Sequence, residues 1–369
     1  MSWLPPMDQE WFMNGLKCAG ALFQGQKMDR VPANPLVMGH SAFIHNRTLY
    51  DYYTKPSLGV ELILNAAQFY GTLPMIMWIY AVYWCEDFGG KIRFPTGRMS
   101  APAIEEYPYK TPEEAEKYEV LDAEELRKRP TWKRHEEGLE ATKKLLGPGF
   151  LPHQFVYEMF VRVAFLVSPE KALLWTHKKP ELVHKLLKKV VEQSVIQNKM
   201  VADQYGSVYI TTSSLLAGSS TMSPEKCREF NIKYCKEMVE RSMKAAPCRG
   251  VFYHLCGDHG KDWPLHEDLP TPPGTMMHVA YDGLKPADLT KVAKVFGNKC
   301  AILGNVDTAL MMRGTPAQVY EQTKKDVLAY KDFQKGFIAG CACECPPFAP
   351  PANVMAFMRA VKDHGKLGG

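Results

Sequence analysis

"ELVHKLLKKVVEQSVIQNKMVADQYGSVYIT", residues 181–211, holds a long amphipathic helix and, directly after a glycine, a short apolar run. Leu182, Leu186, Val190 and Val191 recur at helical spacing after Pro180, and Gly206 stops the pattern. Ser207–Thr211 then has the length and composition of a strand. A helix that feeds into such a strand is half of a repeating βα unit, and similar runs lie along the chain. They are Pro35–Met38, Pro74–Tyr80, Val251–Leu255, Thr275–Ala280, Ala301–Leu303 and Gly336–Ala339. All are too short for helices and bounded by Gly or Pro, and most precede a helical pattern, as parallel strands covered on both faces do.

Helix starts punctuate the same stretch: Thr111-Pro112, Ser168-Pro169, Ser223-Pro224 and Thr315-Pro316 each offer a capping hydroxyl followed by proline at the first helical position. In the second half the units recur at roughly 25 to 45 residues, which suits a closed barrel of βα units. No GxGxxG follows the first strand, which speaks against an open nucleotide-binding sheet. The expectation is an α/β chain forming one (β/α)8 TIM barrel over residues 1–369. An N-terminal helical extension lies within residues 1–34, with its helix from about Gln9 to Gly25.

Composition narrows the function. With 46% hydrophobic and 23% charged residues in 369, the chain can bury a large core. Its 45 basic and 40 acidic residues are mixed, and the densest basic stretch, Leu126 to His135, runs straight into Glu136 and Glu137. Nucleic-acid binders segregate their charge, so none is expected as a partner. The most apolar run, Leu73–Trp84, is a dozen residues long and contains Pro74. A bilayer needs about 20, so no membrane span is expected. "MSWLPPMDQEW" lacks the pattern of a secretion signal, and ten cysteines without one argue for reduced thiols and a cytoplasmic protein.

In a βα barrel, chemistry sits where strands end. His254 and Cys256, in "FYHLCGDHG" (252–260), fall at one such end, and Cys341, Cys343 and Cys345, in "AGCACECPPFAPP" (339–351), fall at another. Glu86 and Asp87 follow the Leu73–Trp84 run, and Asp307 follows "AILGNV". Thiolate and neutral imidazole are the ligands zinc prefers, and a catalytic site leaves its fourth position open. Residues two apart in an extended segment point the same way, so His254 and Cys256 can face one ion, with a third ligand from the last strand. Buried cysteine as a small hydrophobe, with histidine as a satisfied core residue, is the competing expectation.

Several segments together resemble the uroporphyrinogen decarboxylase superfamily. They are "KMDRVPANPLV", "EDFGGKIRFP", "TMSPEKCREF", "HLCG", "AILGNVDTALMMRGTP" and "CECPPFAPPANV". In the decarboxylases an arginine-rich loop after the first strand holds the carboxylates of a tetrapyrrole. The corresponding "PLVMGHSAFIHNRTLYDYY" has one arginine, Arg47, and "YITTSSLLAG" stands where those enzymes carry "FDSW". The resemblance therefore points to the branch of zinc-dependent methyltransferases that serve corrinoid proteins. That branch implies His254 and Cys256 as metal ligands with Cys343 as the third, Cys341 being the next choice.

In that branch a methyl group moves between a small molecule and the cobalt of a corrinoid (cobalamin) carried by a partner protein. No DxHxxG-type cobalamin-binding sequence occurs in this chain. Glu86 or Asp307 is a candidate proton donor or positioning carboxylate, with a structural role as the alternative for each. Trp78, Tyr80, Tyr83 and Trp84, with Tyr209, Tyr253 and Tyr281, suit a flat aromatic guest if some line the mouth; otherwise they are core. Met38, His40, Tyr80, Tyr83, Tyr209 and Tyr281 are the candidate substrate-lining residues. The expected donor is a methoxylated aromatic compound. The reverse reaction, from methylcobamide to a thiol, and a decarboxylase-like lyase are the alternatives.

Overall fold

The computed structural model describes residues 9–24, 26, 28–74, 81–97 and 101–368. The helix α1 (Gln9–Phe23) opens the chain, as its sequence predicts. The helix that decided the fold runs Pro180–Tyr205, with Leu182, Leu186, Val190 and Val191 buried and Gly206 at φ 84° as its left-handed cap. Over 26 residues it is about 39 Å long. Thr111, Ser168, Ser223 and Thr315 each accept a backbone N–H three residues on, so all four expected caps are made.

Among the described residues nine strands follow one another: β1 (Lys91–Arg93), β2 (Ala103–Glu106), β3 (His153–Phe155), β4 (Val208–Ser214), β5 (Cys248–Asp258), β6 (Met276–Asp282), β7 (Lys285–Pro286), β8 (Ala301–Val306) and β9 (Phe337–Cys341). The central sheet runs β3-β4-β5-β6-β8-β9, every pair parallel, with β7 folded antiparallel onto β6. Every residue of β4, β8 and β9 is buried, as strands covered on both faces must be. β1 and β2 form a separate two-stranded ribbon outside this sheet.

The N-terminal part meets the free side of this sheet. Ala33 bridges in parallel to Ala339 on the free side of β9, and the Leu73 N–H donates to the Ala33 carbonyl at 2.7 Å. The expected strand Pro35–Met38 is a correction, because pairing stops just before it. Pro35 has no N–H for a ladder, Leu36 sits at φ 54° with its N–H on the Asn34 side chain, and Met38 starts α2 (Met38–Ile44). Of the expected strand Pro74–Tyr80, only Pro74 lies among the described residues. No helix among the described residues is long and apolar enough to cross a membrane.

Candidate metal centre

β5 ends in the alternating pair predicted from its sequence. His254 lies in register with Ser213 of β4 and His278 of β6, and Cys256 follows two residues on. Across the sheet β9 stops at Cys341. The Ala342 N–H makes a last bond to the Val306 carbonyl, and the chain bends so that the Cys345 N–H reaches the carbonyls of Pro35 and Leu36. Strand alternation therefore does not carry on through Cys343 and Cys345. The bend turns Cys343 alone towards β5, while Cys341 and Cys345 are fully buried and interact with each other.

The result is a half-buried cluster in which the ligand atoms of His254, Cys256 and Cys343 all lie within 4.8 Å of one another. Cys256 Sγ is 3.6 Å from Cys343 Sγ, and Cys343 Sγ is 3.6 Å from His254 Nε2. Tetrahedral zinc with ordinary bond lengths separates two sulfurs by about 3.8 Å and a sulfur and nitrogen by about 3.6 Å. The donor set thus fits a zinc ion, and the described residues supply three of its four positions.

Electrostatics point the same way. Cys343 is held well below an ordinary thiol by its hydrogen bond from Cys256 and then by His254, whereas Cys256 is pushed well up by that same partner and by burial. Two thiolates this close cannot coexist without a cation. On the far side of the ligand, His254 Nδ1 lies 2.9 Å from His278 Nδ1. His278 is fully buried, and burial holds it well below an ordinary imidazole, hence neutral. Beside Cys343, burial pushes the Glu344 carboxyl up to about 7, opposed by the Gly39 N–H that it accepts at 2.9 Å. The loop after β5 is pinned by buried Asp262, which takes His259 Nδ1 and the Ser219 hydroxyl at 2.6 Å each.

The sequence pattern described as Uroporphyrinogen decarboxylase (URO-D) matches residues 19–364, nearly the whole chain.

The chain belongs to the uroporphyrinogen decarboxylase family.

A curated relative, a methylated-thiol--coenzyme M methyltransferase from Methanosarcina mazei, is 28% identical over 210 residues. The match covers 55% of this chain and 51% of the relative, so the chain spans about half the length of the curated protein it matches. The fold is also that of a solved methyltransferase from Methanosarcina mazei, at TM-score 0.76 and 20% identity over 94% of this chain and 98% of that one. A B12-independent methionine synthase from Shewanella sp. W3-18-1 is more distant, at TM-score 0.52 and 12% identity over 84% of this chain and 87% of that chain. Arg47, the single arginine of residues 35–53, is exposed in the turn that follows α2.

The other predicted residues separate into those at the mouth and those away from it. Asp307 caps the helix Thr308–Arg313 through the Ala309 N–H at 2.8 Å, and the Tyr281 hydroxyl lies 3.3 Å from its Oδ1 and 2.7 Å from Thr308 Oγ1. Both stand at strand ends on the side of the cluster. Glu86 is ion-paired to Arg134 in the helix Pro130–Leu146. Tyr83 is fully buried and donates to the Tyr53 carbonyl. Tyr209 lies near the start of β4, four residues before the partner of His254, and donates to the Gly274 carbonyl at 3.2 Å. Met38 is buried, and His40 is fully enclosed with Nδ1 3.2 Å from the Pro347 carbonyl and Nε2 2.9 Å from the Tyr70 hydroxyl. Tyr80 lies outside the described residues. His278 and Glu344 escaped the sequence reading because the contacts that mark them, with His254 and with the Gly39 N–H, are made 24 and 305 residues away in the chain.

Proposed function

We propose that this chain is a zinc-dependent methyltransferase that exchanges a methyl group between a small sulfur compound and the corrinoid of a partner protein. The observation that carries the proposal is the His254–Cys256–Cys343 donor set at the C-terminal ends of β5 and β9, with one position left free. Zinc bound there would hold a thiol as its thiolate near neutral pH. The protein's own part is to aim three donors from two strands at one point and to hold that point half-shielded at the barrel mouth. In this reading Asp307 and Tyr281 would orient a substrate's polar group, and Glu344 would exchange a proton beside Cys343.

The methylated-thiol relative favours sulfur over oxygen as the atom that carries the methyl. A methoxylated aromatic donor is the second candidate, and the structure leaves it less support. Of the described tyrosines offered for an aromatic mouth, Tyr83, Tyr209 and Tyr253 are buried in the fold and Tyr281 stands beside the cluster's rim. Methyl transfer conserves electrons in either direction: Co(I) and a methylated sulfur give methyl-Co(III) and thiolate, and the reverse regenerates Co(I).

The test mixes zinc-loaded protein with free methylcobalamin and a small thiol and follows the corrinoid spectrum. Thiol-dependent loss of the methyl-cobalt absorption is expected, and His254→Ala should abolish it with an unchanged circular dichroism spectrum. Methyl-cobalt formation from Co(I) and a methoxyphenol, with thiols inert, would overturn the sulfur assignment in favour of O-demethylation.

A further inference from the structure

The zinc ligand His254 can bind metal through Nε2 only if the proton of its neutral ring is on Nδ1. That Nδ1 points at another Nδ1, of His278, at 2.9 Å, a distance that requires one proton between the two nitrogens. The two residues are register partners on β5 and β6, and their rings lie 4.7 Å apart at an angle of 34°. Phe252 stacks on His278 at an interplanar angle of 7°, so the second ring has little freedom. Its Nε2 is buried with the Cys341 backbone beside it, on the strand that leads to the third ligand.

Second partners of metal-bound histidines are ordinarily carboxylates, carbonyls or water. Here it is an imidazole, which can accept a proton without adding negative charge behind the ligand. Resting on the zinc reading above, we propose that His278 is a positioning residue. It accepts the Nδ1–H of His254, fixes that tautomer and presents the Nε2 lone pair to the metal. The consequence for chemistry is a less electron-rich ligand than a carboxylate partner would give. The open position therefore keeps more of the zinc's power to hold a thiolate.

The experiment compares wild type, His278→Asn and His278→Leu for zinc affinity by chelator competition and for the absorption spectrum of the Co(II)-substituted form. Asn can place an acceptor oxygen near the lost Nδ1, and Leu keeps comparable bulk without one. His278→Leu should bind zinc at least tenfold more weakly and shift the thiolate–cobalt bands, while His278→Asn should stay within about threefold of wild type. Nitrogen-15 NMR of zinc-loaded wild type should show His254 protonated at Nδ1, a readout that needs no folded His278→Leu protein. Wild-type zinc affinity and spectrum in His278→Leu, or protonation of His254 at Nε2, overturns the inference. Wild-type protein that takes up no zinc overturns the metal reading itself.

Discussion

Cys343 and Cys341 are two residues apart and differ in what surrounds them, which makes them a test of the ligand assignment. Cys343 meets Cys256 and His254, whereas Cys341 is buried against Cys345. Cys343→Ala should therefore reduce zinc from about one per chain to a trace, measured by elemental analysis of the purified protein. Cys341→Ala should retain the metal and cost about 1–2 kcal/mol of stability through lost packing. Loss of zinc in Cys341→Ala with retention in Cys343→Ala would transfer the ligand role. At this scale the sequence was legible where spacing is local, as in His254 and Cys256. It was ambiguous among the three C-terminal cysteines because a bend, not a strand, decides which one turns inward. It was silent on His278, whose partner lies 24 residues away across the sheet.

Elements were legible where their signals are chemical and local. The four hydroxyl–proline caps and the Gly206 stop act on their own backbone, so the residues alone place them. The first strand was misplaced because Asn34, Pro35 and Leu36 look apolar or neutral in sequence yet close a turn, and β3 has only three residues to announce it. His40 shows what that turn holds together. From α2 it grips the Pro347 carbonyl, four residues past Cys343, and burial pushes it down to about 4. A histidine whose folded value lies below its unfolded one binds fewer protons in the native state. Its contribution is complete above about pH 6.5 and is lost as pH falls towards 4. Wild type should thus lose about 1.4 kcal/mol per pH unit more than His40→Gln across that window, as measured by denaturant unfolding at several pH values. Equal slopes would show that His40 does not couple the loop to acid.

At the scale of the molecule, the alternation of apolar runs and capped helices made the barrel visible before any contact was known. What it could not supply was how the N-terminal part joins the sheet. Ala33 meets Ala339 and Leu73 meets Ala33, pairings between segments that carry no mutual mark in the sequence. The candidate centre adds a further tie across the same sheet, because Cys256 and Cys343 are 87 residues apart in the chain. Their sulfurs, 3.6 Å apart, need to approach by only about 1.6 Å to form a covalent bond of their own. An ion between them keeps both electron pairs engaged; stripped of it, the pair is open to oxygen. Purification with a strong chelator in air should therefore remove two titratable thiols per chain and leave zinc unable to return until a reductant is added. Zinc-replete protein handled the same way should keep all ten. The same two atoms that would hold the ion would, under oxidation, be spent on each other and leave His254 as the lone donor of the three.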